Sequence, residues 1–265
     1  MPKIYSFPVE KINLQIVNWL KDYAKTANMK GFVVGISGGI DSAVTSTLCA
    51  QTGLKLLCVE MPIHQDPSHV KRAKEHIDQL KQRYENVSNI VIDLTHLFDT
   101  FKNDMPVHVD AVKMNLSLAN SRARLRMTTL YYLAGIHGLL VTGTGNKIED
   151  FGVGFFTKYG DGGVDISPIA DLMKSEVYAL GNFLNITATI LNAAPTDGLF
   201  GDNRTDDQQL GATYDELEWA MQLDPADKTI NYTDRENVVY KIYKQLNKDN
   251  QHKMNVIPFY KVNRD

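Results

Sequence analysis

Apolar residues recur along this chain in two different patterns. Over residues 8–28 they fall three or four positions apart, a spacing that predicts an amphipathic helix. The residues on that helical face are Val9, Ile12, Ile16, Trp19, Leu20 and Tyr23. Elsewhere the apolar residues form short continuous runs such as Phe32-Val33-Val34-Gly35-Ile36, which is typical of a strand buried on both faces of a sheet.

The two patterns alternate from the first helix to about residue 144. Runs of the strand type span residues 32–36, 54–61, 89–94 and 139–144. Helical patterns span residues 8–28, 43–53, 68–83, 109–137, 173–184, 213–222 and 234–248. Such alternation predicts right-handed βαβ units, hence an α/β fold with a doubly wound, mostly parallel sheet and helices on both faces. Residues 152–163 and 196–213 are predicted loops, and residues 1–265 are predicted to form a single domain.

Composition narrows the classes of function. The 265-residue chain is 43% hydrophobic and has a net charge of −3, so no global positive field is present to hold nucleic acid. No apolar run approaches the roughly 18–20 residues that a membrane span needs. Cys49 and Cys58 form no C-x-x-C motif, which argues against a structural disulfide or zinc site. We therefore expect a cytoplasmic protein with neither a nucleic-acid nor a membrane partner.

A glycine-rich turn, Ser37-Gly38-Gly39-Ile40-Asp41-Ser42, joins the first predicted strand to the helix after it. Such a turn forms a phosphate cradle, because its backbone N–H groups and the helix N-terminus attract anions. It has neither the lysine and spacing of a Walker A loop nor a Rossmann fingerprint. Asp41 would repel phosphate unless a divalent cation lay between them, so we interpret it as a magnesium ligand. The alternative is an aspartate that caps the helix N-terminus.

The string S-G-G-x-D-S after an apolar strand resembles the pyrophosphate loop of the N-type ATP pyrophosphatases, which cleave ATP between its α and β phosphates. A second set of motif residues lies further along the chain: Gly143-Thr144, Glu149, Gly154-Phe155-Phe156-Thr157-Lys158-Tyr159-Gly160-Asp161-Gly162-Gly163-Val164-Asp165, Pro168, Lys174, Pro195-Thr196 and His252-Lys253. In these residues the chain resembles, within that superfamily, the ammonia-dependent NAD synthetase family. At Gly145-Asn146 some members instead carry an acidic residue and a histidine, and no role is transferred to these two positions.

The resemblance implies an adenine nucleotide alpha hydrolase-like fold and an ATP-dependent, amide-forming ligase that uses magnesium. The implied reaction converts the nicotinic acid carboxylate of deamido-NAD into the carboxamide of NAD, with ATP and ammonia as co-substrates and AMP and pyrophosphate as products. The residues implied to bind ATP are Gly35, Ile36, Ser37, Gly38, Gly39, Ile40, Asp41, Ser42, Thr144, Lys174 and Thr196. Asp41 and Glu149 are the implied metal ligands, and Asp41 and Lys174 the implied catalytic residues.

Three of these residues have plainer alternatives. Glu149 would be a solvated carboxylate at a helix start, Lys174 a surface lysine, and Thr196 a helix N-cap. The residues that the resemblance assigns to deamido-NAD are Arg124, Lys158, Asp165, His252 and Lys253. Arginines at 122, 124 and 126 cannot share one helical face, so at least one of them is expected to make a structural pair. The resemblance also implies a homodimer.

Other functions remain open at this point. Within enzymes, the alternatives are a GMP synthetase-like or a tRNA-modifying ATP pyrophosphatase. The chain has no room for the further modules of a GMP synthetase, and its net charge of −3 does not favour a tRNA partner. From a different class, the chain could be a nucleotide-binding regulator, although binding alone would not need Asp41, Glu149 and Lys174 together. We expect ammonia, not glutamine, to be the nitrogen donor.

Overall fold

The computed structural model describes residues 7–196, 205–223 and 232–264. Within these residues lies a parallel sheet with the strand order β3-β2-β1-β4. The strands are β1 Gly31–Gly35, β2 Lys55–Glu60, β3 Val87–Val91 and β4 Leu140–Val141. The chain runs outward from β1 to β3 and then returns to the other side of β1. The carboxyl ends of β1 and β4 therefore flank a switch in strand order, which is where open α/β sheets bind their ligands.

Helices connect the strands and follow the last of them. They are α1 Val9–Thr26, α2 Ile40–Gln51, α3 Pro67–Arg83, α4 Thr95–Asp104, α5 Ala111–His137, α6 Lys174–Phe183, α7 Ala188–Leu191, α8 Asp206–Leu210, α9 Tyr214–Met221 and α10 Asp234–Met254. A further element, Ile148–Val153, is a π-helix. Among the described residues, no helix has both the length and the apolar character needed to cross a membrane.

Apolar side chains cover both faces of the sheet. On one face, Val34 and Cys58 pack with α1, α2, α3 and α6 in the largest buried cluster. On the other face, Val33 and Val59 pack with α4 and α5. A third cluster joins the π-helix to α9 and α10. The predicted fold, a doubly wound parallel sheet with helices on both faces, is confirmed. Burial on both faces explains why β1 and β2 are continuous apolar runs.

Two predicted strands differ from the structure. β3 covers Val87–Val91, not residues 89–94, because the chain turns at Leu94, whose backbone N–H donates to the Pro62 carbonyl at 3.0 Å. β4 has two residues where six were predicted. Beyond Val141 the ladder continues only as an isolated bridge between Thr142 and Ile166.

The prediction of a loop over residues 196–213 is wrong where α8 forms. Thr205 Oγ1 accepts a hydrogen bond from the Gln208 N–H at 3.4 Å, and Gln208 Oε1 accepts one from the Thr205 N–H at 3.1 Å. This T-x-x-Q capping box begins the helix and is visible in the sequence. Residues 197–204 of the predicted loop lie outside the described residues.

A buried histidine on α3, His76, supports the helix that follows the glycine-rich turn. Ser46 Oγ donates to the Ser42 carbonyl at 2.7 Å and lies 2.8 Å from His76 Nε2, so the histidine donates to it. Burial lowers the pKa of His76 to about 4, and the positive charge of Arg83 adds to this effect. The imidazole is therefore neutral in the folded protein at neutral pH.

Protonation of the unfolded chain makes this histidine a source of acid sensitivity. Between about pH 7.5 and pH 5, an unfolded histidine with a pKa of 6.5 gains a proton that folded His76 does not accept. We expect His76 to lower the free energy of unfolding by about 2 kcal/mol over this interval, with the loss beginning as the pH falls below 6.5. Urea unfolding at both pH values tests this. His76→Gln, which does not titrate, should lose that part of the pH dependence, and an unchanged dependence would contradict the assignment.

Candidate active site

The glycine-rich turn between β1 and α2 is held by its own serines. Ser37 Oγ and Ser42 Oγ lie 3.1 Å apart, and Ser42 Oγ donates to the Gly39 carbonyl at 3.0 Å. Gly38 has a φ of +83°, and a Cβ there would lie 2.5 Å from the His69 carbonyl oxygen. Only glycine fits this position, and its presence lets the turn lie close against α3.

Asp41 and Glu149 converge on one buried ammonium group. Lys174 Nζ donates to Asp41 Oδ2 at 2.6 Å and to Glu149 Oε1 at 3.0 Å. Lys174 is only 3% exposed, so the surface-lysine alternative is wrong, as is a solvated Glu149. The N-cap of α2 is Gly39 and Asp41 lies inside the helix, so the capping alternative for Asp41 is also wrong.

The charges of this cluster keep Lys174 protonated. Burial acts to lower the pKa of Lys174, but the negative charges of Asp41 and Glu149 outweigh burial and raise the pKa above its usual range. Lys174 Nζ also lies 4.7 Å from the centre of the Tyr214 ring. A permanent positive charge is therefore fixed beside the glycine-rich turn, where phosphate groups would bind.

Two residues that the sequence did not reveal hold the carboxylates in place. Asn146 Nδ2 donates to Asp41 Oδ1 at 3.1 Å, and its Oδ1 accepts from the Glu149 N–H at 3.1 Å. Tyr214 Oη donates to Glu149 Oε1 at 2.6 Å. The position of Asn146 between the motif residues Gly143-Thr144 and Glu149 is the signal that could have identified it. Tyr214 resembled an ordinary core residue of α9.

Glu149 lies on the π-helix, a rare element that is frequently found at functional sites. The helix ends at Gly154, which has a φ of +65° and whose Cβ would lie 2.3 Å from Asn250 Cβ. The loop predicted over residues 152–163 therefore begins inside a helix, and only the part from Gly154 onward is irregular.

The next residue, Asp150, occupies the space beside Gly145. A Cβ at Gly145 would lie 2.1 Å from Asp150 Oδ2, so the carboxylate fills the place of a side chain there. Burial, followed by the charges of Glu149, Asp161 and Asp41, raises the pKa of Asp150 to about 8. A carboxylate from the π-helix thus lies directly beside Gly145.

Gly145→Ala is expected to destabilise the protein by about 1–3 kcal/mol, because the new methyl group must displace the Asp150 carboxylate. Gly135→Ala on α5 is a matched control, since a Cβ there would meet nothing within 4 Å. It is expected to stabilise the helix by up to about 1 kcal/mol. Chemical unfolding of both variants measures the two effects. A Gly145→Ala protein as stable as the wild type would contradict the close packing of Asp150.

All residues predicted to bind ATP line one cavity of about 320 Å³ at the carboxyl end of the sheet. They come from four parts of the chain: the turn at residues 35–42, Thr144 after β4, Lys174 at the start of α6, and Thr196. Glu149 lines the same cavity. A space of this volume is large enough for one small ligand. The structure brings these residues together, and their individual roles stay predictions.

Four of the five residues predicted to bind deamido-NAD lie together outside this cavity lining. Arg124 Nη2 donates to the Lys158 carbonyl at 3.3 Å, and Lys158 Nζ donates to the His252 carbonyl. Lys253 Nζ donates to the carbonyls of Gly154 and Phe156 at 2.8 and 2.9 Å. The resulting basic cluster joins α5, the loop after the π-helix, and α10.

Asp165 is separate from this basic cluster. Its Oδ2 accepts from the Val141 N–H at 2.8 Å and its Oδ1 from Tyr131 Oη at 2.9 Å, so both oxygens hold the end of β4. The expected structural arginine pair is confirmed at Arg126, which donates to the Met61 carbonyl at 3.0 Å and to Gln65 Oε1 at 2.9 Å. Arg122 lies over the Phe98 ring.

The donor chemistry of the site fits magnesium. Asp41 and Glu149 offer hard oxygen atoms that face a single cation, here the Lys174 ammonium. In the described part of the chain, no group of three or more histidine, cysteine, aspartate or glutamate side chains forms a metal site. Two carboxylates suffice for magnesium, because substrate phosphates and water supply its remaining ligands.

The fold and this cavity define a nucleotide-binding α/β protein. Residues 12–257 match the family model described as NAD synthase. The NH(3)-dependent NAD(+) synthetase of Carboxydothermus hydrogenoformans is 38% identical over 205 residues, which are 77% of this chain and 82% of that protein. An NMN synthetase of Francisella tularensis has a solved structure with a TM-score of 0.83 at 29% identity, covering 97% of this chain and all of that one.

A second solved structure, of an NH3-dependent NAD synthetase from Campylobacter jejuni, has a TM-score of 0.75 at 24% identity and covers 97% of this chain and all of that one. This likeness concerns the fold. The chain belongs to the NAD synthase family, as its motifs indicate. The predicted ligase class and the adenine nucleotide alpha hydrolase-like fold are confirmed with it.

Proposed function

We propose that this chain uses ATP and ammonia to convert the nicotinate carboxylate of deamido-NAD into the carboxamide of NAD, releasing AMP and pyrophosphate. The observation that carries this proposal is the buried Asp41–Lys174–Glu149 arrangement beside the glycine-rich turn. It supplies a fixed positive charge and two metal-binding carboxylates where a triphosphate would lie. The chain acts as a single domain and works in the cytoplasm.

The reaction has two steps. A carboxylate oxygen of the substrate attacks the α-phosphorus of ATP, the bond from that phosphorus to the bridging oxygen breaks, and pyrophosphate leaves with the electron pair. Ammonia then attacks the acyl carbon, AMP leaves, and the nitrogen loses one proton to solvent. The backbone N–H groups of residues 37–42 hold the β and γ phosphates, and Lys174 stabilises the developing negative charge. Thr144 and Thr196 contact ATP from the other sides of the cavity.

Asp41 and Glu149 would hold magnesium. Their oxygens lie in reach of one cation, because both accept hydrogen bonds from Lys174 Nζ. When bound, the ion neutralises charge on the phosphates and on the departing pyrophosphate. Asn146 and Tyr214 keep the two carboxylates oriented toward that position.

The basic cluster of Arg124, Lys158, His252 and Lys253 binds deamido-NAD, and Asp165 contacts the same substrate from its separate position at the end of β4. Point charges and a planar guanidinium suit a dianionic substrate. The protein works as a homodimer. Exposed apolar side chains one helical turn apart on α5, Val112 with Leu116 and Tyr132 with Ile136, are candidates for burial in such an interface.

Ammonium is expected to support NAD formation. Glutamine as the only nitrogen donor is expected to give almost no NAD. Hydrolysis of glutamine needs a nucleophile, and both cysteines are buried. Burial raises the pKa of Cys49 above its usual range, and burial with the nearby Glu60 charge raises the pKa of Cys58 to about 12. Neither thiol forms the reactive thiolate at neutral pH. Comparison of NAD formation with each nitrogen donor tests this, and efficient use of glutamine by the purified chain would contradict it.

A mononucleotide substrate is the second candidate, because the Francisella structure named NMN synthetase resembles this chain over nearly its whole length. Another N-type ATP pyrophosphatase activity, GMP synthetase-like or tRNA-modifying, has no specific observation in its favour. The basic cluster beyond the cavity favours the dinucleotide, since it offers charged groups to a second half of the substrate.

The discriminating experiment supplies ATP, magnesium and ammonium with either deamido-NAD or nicotinic acid mononucleotide. We expect kcat/KM to be at least about tenfold higher for the dinucleotide, which corresponds to roughly 1.4 kcal/mol of added binding. Arg124→Ala should remove most of that preference and leave the mononucleotide rate unchanged. Higher kcat/KM for the mononucleotide would reassign the substrate, and absence of either product would refute the proposed function.

A further inference from the structure

Glu60 is a buried carboxylate in the cavity wall that the proposed reaction does not use. It is the last residue of β2, it is 7% exposed, and it lines the same cavity as the glycine-rich turn. Across residues 7–196, 205–223 and 232–264, no side chain or N–H group forms a hydrogen bond to this carboxylate. Its carboxylate oxygens are not fully enclosed by the protein, so a ligand in the cavity can reach them and donate hydrogen bonds to them.

Charged groups on α3 act on Glu60 without neutralising it. Burial and the negative charge of Asp78 raise the pKa of Glu60, and the positive charge of Lys74 opposes them. Lys74 does not come within ion-pair distance of Glu60 in the described part of the chain. The part of the cavity lining that comes from α3 and β3 includes the apolar side chains Val70, Ala73 and Val91, beside His69 and Arg72. A ligand there would meet apolar surface as well as the Glu60 carboxylate.

The strand register places Glu60 next to the start of the glycine-rich turn. Gly35 pairs with Val59, and the Ile36 N–H donates to the Val59 carbonyl at 2.9 Å. On the opposite side of β1, the β4 end carries Thr144 and leads to Glu149. In the proposed reaction the β and γ phosphates lie in the turn and the α-phosphate lies near Lys174. The nucleoside would then lie on the β2 side of the cavity.

We propose that Glu60 accepts hydrogen bonds from the 2′- and 3′-hydroxyls of the ATP ribose and makes the site selective for ribonucleotides. This inference rests on the proposed function, because it takes ATP as the occupant of the cavity. Two adjacent hydroxyls match the two oxygens of one carboxylate, and the purine ring can pack on the apolar wall. In dinucleotide-binding α/β folds, an acidic residue about 20 residues beyond the glycine-rich turn binds the ribose hydroxyls in the same way.

The experiment measures the dissociation constants of ATP and 2′,3′-dideoxy-ATP by calorimetry in the presence of magnesium. Wild-type protein is expected to bind ATP about 10–100-fold more tightly than the dideoxy analogue, since hydrogen bonds to a charged group are strong. Glu60→Ala is expected to bind ATP about 10–100-fold more weakly than the wild type and to bind the dideoxy analogue with unchanged affinity. The ratio of the two dissociation constants should therefore fall below about threefold. Glu60→Gln keeps one neutral acceptor and should give an intermediate ratio.

Glu85→Gln is the matched control, because Glu85 is an exposed glutamate that precedes β3 and lies outside the cavity lining. It should keep the wild-type ratio. Thermal unfolding without nucleotide adds a second readout. Because the Glu60 side chain forms no hydrogen bond or ion pair within the described residues, neither Glu60 variant should unfold at a lower temperature than the wild type.

Three results would overturn the assignment. They are a wild-type protein without ribose preference, a Glu60→Ala protein that keeps the preference, and an equal loss of affinity for both nucleotides. A large drop in unfolding temperature in Glu60→Ala would also oppose it, since it would reveal a structural role. Failure of the premise that ATP occupies the cavity has a different signature, because the wild-type protein would then bind neither nucleotide. Failure of the proposed reaction alone would leave ATP binding intact and would appear as an absence of NAD formation from deamido-NAD.

Discussion

Asp41→Asn is expected to lower kcat for amide formation by at least about 10²–10³-fold. The substitution keeps the size of the side chain and its hydrogen bond from Asn146, but removes the charge that faces Lys174 at 2.6 Å. It therefore removes a metal-binding carboxylate and changes the position of the lysine at the same time. Both effects act on the phosphates of ATP, where charge develops during the first step.

Steady-state kinetics with circular dichroism as a folding control measures this effect. Asp171→Asn is the matched substitution, because Asp171 pairs with Lys147 and its side chain is largely exposed to solvent. Asp171→Asn should retain wild-type activity. A folded Asp41→Asn protein with near-normal NAD formation would remove Asp41 from the catalytic machinery.

Lys174→Met is expected to abolish measurable activity and to destabilise the protein by about 3 kcal/mol without ligands. Loss of the ammonium leaves Asp41 and Glu149 facing each other with little solvent exposure, and removal of one partner from a buried ion pair typically costs about 3–5 kcal/mol. Magnesium can replace the lost positive charge. At saturating concentrations magnesium should raise the free energy of unfolding of this variant by about 2–3 kcal/mol.

Urea unfolding with and without magnesium measures this effect. Lys71→Met is the control, because Lys71 is exposed and forms only an i,i+4 pair with Glu75. The free energy of unfolding of this control should fall by less than about 0.5 kcal/mol, and magnesium should stabilise it no more than it stabilises the wild type. Stabilisation of Lys174→Met and Lys71→Met by the same amount would contradict a metal site between Asp41 and Glu149.

Hydrophobic periodicity was sufficient to predict the sheet and most of its helices. Strands β1 and β2 are buried on both faces, so their continuous apolar runs identify them without ambiguity. Edge strand β3 was placed two residues too late, because Ile90 and Val91 are exposed and the apolar pattern there continues into the turn at Leu94. Tertiary hydrogen bonds end the strand, and no local signal marks that end.

The glycine-rich turn was predictable because it lies between a buried strand and a helix, and the other cavity residues were predicted from the family resemblance of their motifs. The partners that orient them were not. Tyr214 reaches Glu149 from a helix 65 residues away, and Lys174 reaches Asp41 across 133 residues. Such contacts depend on how helices pack, which periodicity does not report. The π-helix at Glu149 was also invisible, because its pattern resembles that of a glycine-containing loop.

The packing of Asp150 against Gly145 was not predictable from the sequence. The Asp150 carboxylate fills the space beside Gly145, five residues earlier in the chain. This contact depends on the π-helix that carries Asp150, and the sequence pattern did not indicate that helix.

The central claim is that the substrate carboxylate attacks the α-phosphorus of ATP. The most direct test uses deamido-NAD labelled with oxygen-18 in its nicotinate carboxylate, together with ATP, magnesium and ammonium. Mass spectrometry of the products should find one labelled oxygen in AMP and none in pyrophosphate, because the oxygen that bonds to the α-phosphorus leaves with AMP. Label in inorganic phosphate or pyrophosphate, or NAD formation with unlabelled AMP, would contradict the account.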